Sequence, residues 1–116
     1  MKISEKTQTY FENMGREIEQ GAKFAKGRLE AYWSWWYSRN KPFIIEDGHL
    51  WCRDIPEFVD TMRQAGVKRF VTTNRSTDLM ESLHSFAALG CTLEALVIVN
   101  ADNEYDTDKQ GIVIKL

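Results

Sequence analysis

Apolar residues recur at steps of three and four through Phe11, Met14, Ile18, Ala22, Ala25, Leu29, Tyr32 and Trp36. This stripe predicts helix from about Ser4 to Arg39. The opposite side is charged, with Glu12/Arg16 and Glu19/Lys23 at the spacing that pairs neighbouring turns. Gly15, Gly21 and Gly27 interrupt the pattern, each costing up to about 1 kcal/mol against alanine. One long helix and two helices with a kink near Gly21 or Gly27 both fit. Gly15 and Gly21 border the stripe, where a missing side chain permits close packing.

Beyond Asn40-Lys41-Pro42 the period changes, because a residue before proline is pushed out of helical geometry. Phe43-Ile44-Ile45 is a candidate strand, and Glu46-Asp47-Gly48 signals a turn. Asp54 with Glu57 reads as a capping box, opening a helix to Ala65 that stops at Gly66, with Ile55, Phe58, Val59 and Met62 inward. Val67 to Thr73 reads as a strand. Ser76 or Thr77 then caps a helix with Leu79, Met80, Leu83, Phe86 and Ala87 inward and Gly90 as its stop. Thr92 to Val99 is the strongest strand signal. A polar loop, Asn100 to Gln110, leads to a last strand at Ile112–Leu116. Strand–helix–strand order implies parallel pairing through a right-handed crossover, and the last two strands are antiparallel if adjacent. The expected fold is mixed α/β: a long N-terminal helix or kinked helix pair packed on a three- to four-stranded mixed sheet with a βαβ core. Residues 1–116 read as one domain, with a helical segment 1–40 and an α/β segment 41–116.

An apolar fraction of 43% with 28% charge fits a folded globular chain rather than a disordered one. No apolar run approaches the ~20 residues that span a bilayer, so no membrane association is expected. The polar stretch Lys2–Gln8 lacks the apolar core of a signal peptide, so the expected location is cytoplasmic. Cys52 and Cys91 read as reduced, buried side chains. Charge divides along the chain: residues 1–41 hold eight basic and five acidic side chains, residues 42–116 seven and twelve. The acidic part argues against direct nucleic-acid binding and for a protein partner with basic surface.

The run Tyr32-Trp33-Ser34-Trp35-Trp36-Tyr37 exceeds what one core face can take. At 100° per residue from Phe11, Tyr32 and Trp36 fall on the stripe and Trp33 on its border. Trp35 turns toward Phe24, Arg28 and Ala31, and Tyr37 to the other side. Either both stripes pack beneath the sheet, or Trp35 and Tyr37 stay accessible as partner-binding anchors. A second candidate surface is Asp102, Glu104, Asp106 and Asp108, which an extended segment would line up on one side about 6.6 Å apart. Its competing reading is a solvated hairpin loop. Thr107 and Val113 stand where a calcium loop from Asp102 needs glycine and glutamate. His49 and His84 have no metal-ligand spacing, and no catalytic residue, metal or cofactor is expected. Thr72 to Thr77, between a strand and a helix, is a candidate phosphate site through Thr73, Asn74, Arg75 and Ser76.

Two resemblances bear on function. Ile45-Glu46-Asp47-Gly48-His49-Leu50, Gln64-Ala65-Gly66-Val67 and Val71-Thr72-Thr73-Asn74-Arg75-Ser76 together resemble the start of a haloacid-dehalogenase-type phosphohydrolase. The resemblance puts Asp47 at that family's acid/base aspartate and Thr73 at its phosphate-gripping hydroxyl. It puts Ile45 at the nucleophile, where no phosphoaspartate can form. It implies a remnant phosphate-binding domain without hydrolase chemistry. Glu-Lys-Thr at residues 5–7, the stretch from Tyr10 to Glu19 and the segment Gly27-Arg28-Leu29-Glu30-Ala31-Tyr32 resemble a family of short, uncharacterised proteins of Gram-positive mobile genetic elements. That context implies an accessory or anti-defence factor, anti-CRISPR inhibitors among them. The leading expectation is a non-catalytic interaction protein that occupies a basic nucleic-acid-binding surface of a host nuclease, one guided by nucleic acid being the expected type. The phosphate-binding remnant is the alternative, and a homodimer through the N-terminal helix is the expected assembly if there is one.

Overall fold

The helical stripe is cut in two at Gly21, whose φ of +90° is open to glycine and strained for other residues. A computed structural model describes residues 3–40, 44–101 and 104–116. Helix α1 (Glu5–Glu19) is capped by Ser4, whose hydroxyl accepts from the Thr7 amide at 3.2 Å. Helix α2 (Lys26–Ser38) follows after the break. Strand β1 (Ile45–Asp47) leads through a 3-10 turn at Cys52–Asp54 into α3 (Ile55–Gln64). Then come β2 (Arg69–Thr72), α4 (Leu79–Ala88), β3 (Thr92–Val99) and β4 (Lys109–Lys115).

The four strands form one mixed sheet in the order β1-β2-β4-β3. β1 pairs parallel with β2, as the strand–helix–strand order predicts, and β3 pairs antiparallel with β4. β4 inserts between β2 and β3, so β3 lies at one edge and β1 at the other. The two edges differ. α2 packs beside β1, and the Ser38 hydroxyl accepts the Glu46 amide at 3.0 Å, so a side chain covers that edge. Nothing in the described chain does the same for β3.

Phe70 of β2 touches Phe58 of α3 and Phe86 of α4, each with ring centroids 5.3 Å away, so both helices cover the same sheet face. Ile45, Ile55, Val59, Met62 and Ile114 complete the core there. α1 closes the far side of α2. The Thr7 hydroxyl donates to the Ala65 carbonyl at 2.8 Å, and Phe11 stacks on Trp35 at 5.4 Å. The apolar stripe of α1 is therefore occupied within its own chain, which leaves the expected homodimer through that helix no free apolar face.

Several local expectations change. The capping box at Asp54 does not form: this residue is helical (φ −95°, ψ −8°) at the end of the 3-10 turn, and its side chain makes no cap. α4 begins later than expected, with Asp78 rather than Ser76 or Thr77 at the N-cap, because the Ser76 amide is held by Asn74. Met80 and Ala87, expected inward, are exposed, and Ser82 and Phe86 are the buried residues of α4. β1 runs through Glu46 and Asp47, read from sequence as a turn, because both pair with β2. Phe43, expected to open that strand, lies outside the described residues, as do Lys41 and Pro42.

The aromatic run is reassigned. Trp35 is buried at 3% exposure, whereas Trp33 and Trp36 are exposed. A phase counted from Phe11 cannot cross the break at residues 20–25. Contact with α3 resets it: a Cβ on Gly27 would meet Glu57 Cβ at 2.8 Å and the Phe58 amide nitrogen at 3.0 Å. The buried side of α2 is thus Gly27, Ala31, Tyr32, Ser34, Trp35 and Ser38. Trp35 is architecture rather than a partner anchor.

Candidate functional site

One side of α2 shows Glu30, Trp33, Ser34, Tyr37 and Ser38, spaced at three and four so that they share a face. Opposite them stands the end of β1, with Glu46, Asp47, Gly48 and His49. Between the two lies an open cleft of about 280 Å³, to which Lys109 of β4 also contributes. Trp33 is 42% exposed and Tyr37 75% exposed, their rings 6.1 Å apart. Trp36 is covered by the Arg39 guanidinium, 3.4 Å from its ring centroid.

The carboxylates differ in their surroundings. Glu46 accepts from the Thr73 hydroxyl at 2.9 Å and pairs with Lys109 at 3.1 Å. Asp47 is 3% exposed. Burial first, then the charges of Glu30 and Glu46, push its carboxyl up to about 7, against the opposing influence of His49. Burial and negative neighbours therefore penalise the ionised form of Asp47.

This has a measurable consequence. The unfolded chain holds the Asp47 carboxyl near 3.8 and the folded chain near 7. The folded state binds the extra proton between those values. The contribution to stability is complete below the unfolded value and lost as pH rises through the folded one, a swing on the order of 4 kcal/mol. Asp47→Asn should thus gain stability over the wild type at pH 8 and lose most of that advantage at pH 5, measured by urea unfolding. An equal difference at both pH values would refute the assignment.

The loop after β2 is closed on itself. The Thr73 amide continues the ladder by donating to the Asp47 carbonyl at 2.9 Å. Asn74 is buried, and its Oδ1 accepts from the Ser76 amide at 2.8 Å and the Ser76 hydroxyl at 2.6 Å. That hydroxyl also touches Asp78. Its hydrogen bond, followed by those from Asn74 and His49, holds the Asp78 carboxyl below the usual range. The His49 ring lies 3.5 Å from Asp78. Of the expected phosphate ligands, Thr73, Asn74 and Ser76 are spent within the protein, and Arg75 is exposed. A phosphate would also face Asp78.

The acidic line changes shape. Glu104 and Asp106 lie in a turn and a bend rather than an extended segment. Asp108 accepts the Ala101 amide at 2.8 Å. Asp102 lies outside the described residues. All three described carboxylates are exposed, but the alternation that would align them requires extended backbone. Sequence reading missed Glu30, Trp33, Glu46 and Lys109 as cleft residues. The three-and-four spacing of Glu30, Trp33 and Tyr37 was the available signal.

Comparison with known families matches residues 30–114 to the family described as "Domain of unknown function (DUF7698)". The chain belongs to this family. No curated protein and no solved structure matches it. The DUF7698 match begins at Glu30 and includes every residue lining the cleft. Among the described residues, no three His, Cys, Asp or Glu side chains are placed to hold a metal ion, and no helix is long and apolar enough to cross a membrane.

Proposed function

We propose that this is a non-catalytic interaction protein whose α2–β1 cleft receives a lysine or arginine side chain from a partner with basic surface. The observation that carries the reading is the approach of Glu30 to the buried Asp47 beside the exposed rings of Trp33 and Tyr37. Two negative side chains that repel one another are relieved by a bound cation, and aromatic faces add to its attraction. The acidic excess of residues 42–116 favours the same class of partner at longer range. Inhibition of a host nucleic-acid-guided nuclease is the form of this activity implied by the resemblance to mobile-element proteins. The phosphate-binding alternative is disfavoured by the bonds within the Thr73–Asp78 loop.

Calorimetric titration with an arginine-rich peptide, and with the same peptide carrying citrulline for arginine, tests the cleft. Binding of the arginine peptide should strengthen between pH 5.5 and pH 8, as Asp47 ionises. Glu30→Gln and the pair Trp33→Ala/Tyr37→Ala should each weaken it about tenfold, the scale of one interface anchor. Neutralising Glu104, Asp106 and Asp108 should change it less than twofold. Equal binding of the citrulline peptide, or loss only in the loop variant, would sink the cleft as the binding site.

A further inference from the structure

We propose that β3 is a self-association edge, through which two copies of this chain join their sheets into one of eight strands. β3 is an eight-residue edge strand whose outer backbone groups have no strand beside them. It has no proline and no lysine, and its single charge is Glu94. Arg69 takes that charge, donating to both Glu94 carboxylate oxygens at 2.8 and 2.9 Å. Leu96 is 85% exposed and Ile98 61% exposed. They pair with Ile112 and Gln110 of β4, so alternation places them on the sheet face shared with Ile114, beyond the cover of the helices.

A second copy is the occupant that this strand suits. In an antiparallel pair centred on Val97, Leu96 of each copy lies opposite Ile98 of the other, and Ala95 lies opposite Val99. The five central positions hold no charge, so the two-fold brings no like charges together. Each Glu94, already bound by Arg69, falls opposite Asn100. The irregularity between Leu93 and Ala95 lies outside this central stretch.

Size-exclusion chromatography with light scattering on the full chain at micromolar concentration should give twice the 13.5-kDa chain mass. Leu96→Lys/Ile98→Lys should return the mass to that of one chain with an unchanged far-UV circular dichroism spectrum, because both side chains are exposed in the single chain. Val97→Cys places two thiols across the axis within disulfide reach and should yield a covalent dimer on mild oxidation, which the wild type with Cys52 and Cys91 does not. A wild-type chain that stays at the mass of one copy leaves the edge to a strand of another protein and overturns the proposal. So does a dimer that the double-lysine variant retains, or one that Val97→Cys fails to cross-link.

Discussion

Gly27→Ala should cost the fold about 3 kcal/mol or more and lower the melting temperature by roughly 10 °C or more. The added methyl would run into the Asp54 carbonyl oxygen, with Glu57 Cβ at 2.8 Å and the Phe58 amide nitrogen at 3.0 Å. Two of these neighbours are backbone at the start of α3, so no side-chain rotation relieves the overlap. α2 has to lift away, and with it the contacts of Ala31 and Trp35. Gly48→Ala provides the contrast, since nothing lies within 4 Å of a Cβ there and its backbone is not in the left-handed region. That variant should stay within about 0.5 kcal/mol of the wild type. Urea unfolding of the two variants in parallel separates close packing from the general effect of replacing glycine. Equal losses would show that α2 and α3 do not meet as described.

Trp35→Ala should remove about 3–5 kcal/mol, a large share of the total stability of a domain this size. Its ring stacks on Phe11 with an interplanar angle of 19° and lies 5.7 Å from Tyr32, so truncation opens a cavity between α1 and α2. Trp35→Phe should cost much less, within about 1 kcal/mol. The indole Nε1 is buried without a hydrogen-bond partner, and removing an unpaired donor offsets part of the lost contact. Tyr37→Ala, two residues along the same helix, should leave the unfolding midpoint unchanged because the ring stands in solvent. A Trp35→Ala protein that melts with the wild type would place this tryptophan at the surface, as a partner anchor requires.

That reversal marks where sequence reading succeeded and where it stopped. α3 was legible almost whole, because Ile55, Phe58, Val59 and Met62 follow one uninterrupted helical period and all four are buried. β3 was legible to the residue, since its run of β-branched and aliphatic side chains has sharp polar ends. The phase of α2 was not legible from α1, because the segment around Gly21 carries no information about the rotation between two helices. Only packing fixes that rotation. The β1 boundary was missed for a related reason: Glu46 and Asp47 look like turn residues until the pairing with Val71 and Thr72 holds them extended. The cleft was half legible. Tyr37 was legible as a candidate anchor and Asp47 through the resemblance, but their meeting depends on α2 lying along β1, a long-range contact that local patterning does not encode.

The Ser38 hydroxyl occupies the Glu46 amide on β1, a backbone donor that a further strand on that edge would need. A chain with two bare edges is bivalent and can add copies without limit, the geometry that underlies fibrils. On the proposed pairing the chain is monovalent, because α2 flanks β1 and β3 is the edge left for a strand. Any addition at β3 consumes the last free valence, so strand pairing ends in a finite particle. Ser38→Ala weakens that stop without touching β3, and the length distribution of any resulting assemblies would report how much of the limit one hydroxyl supplies.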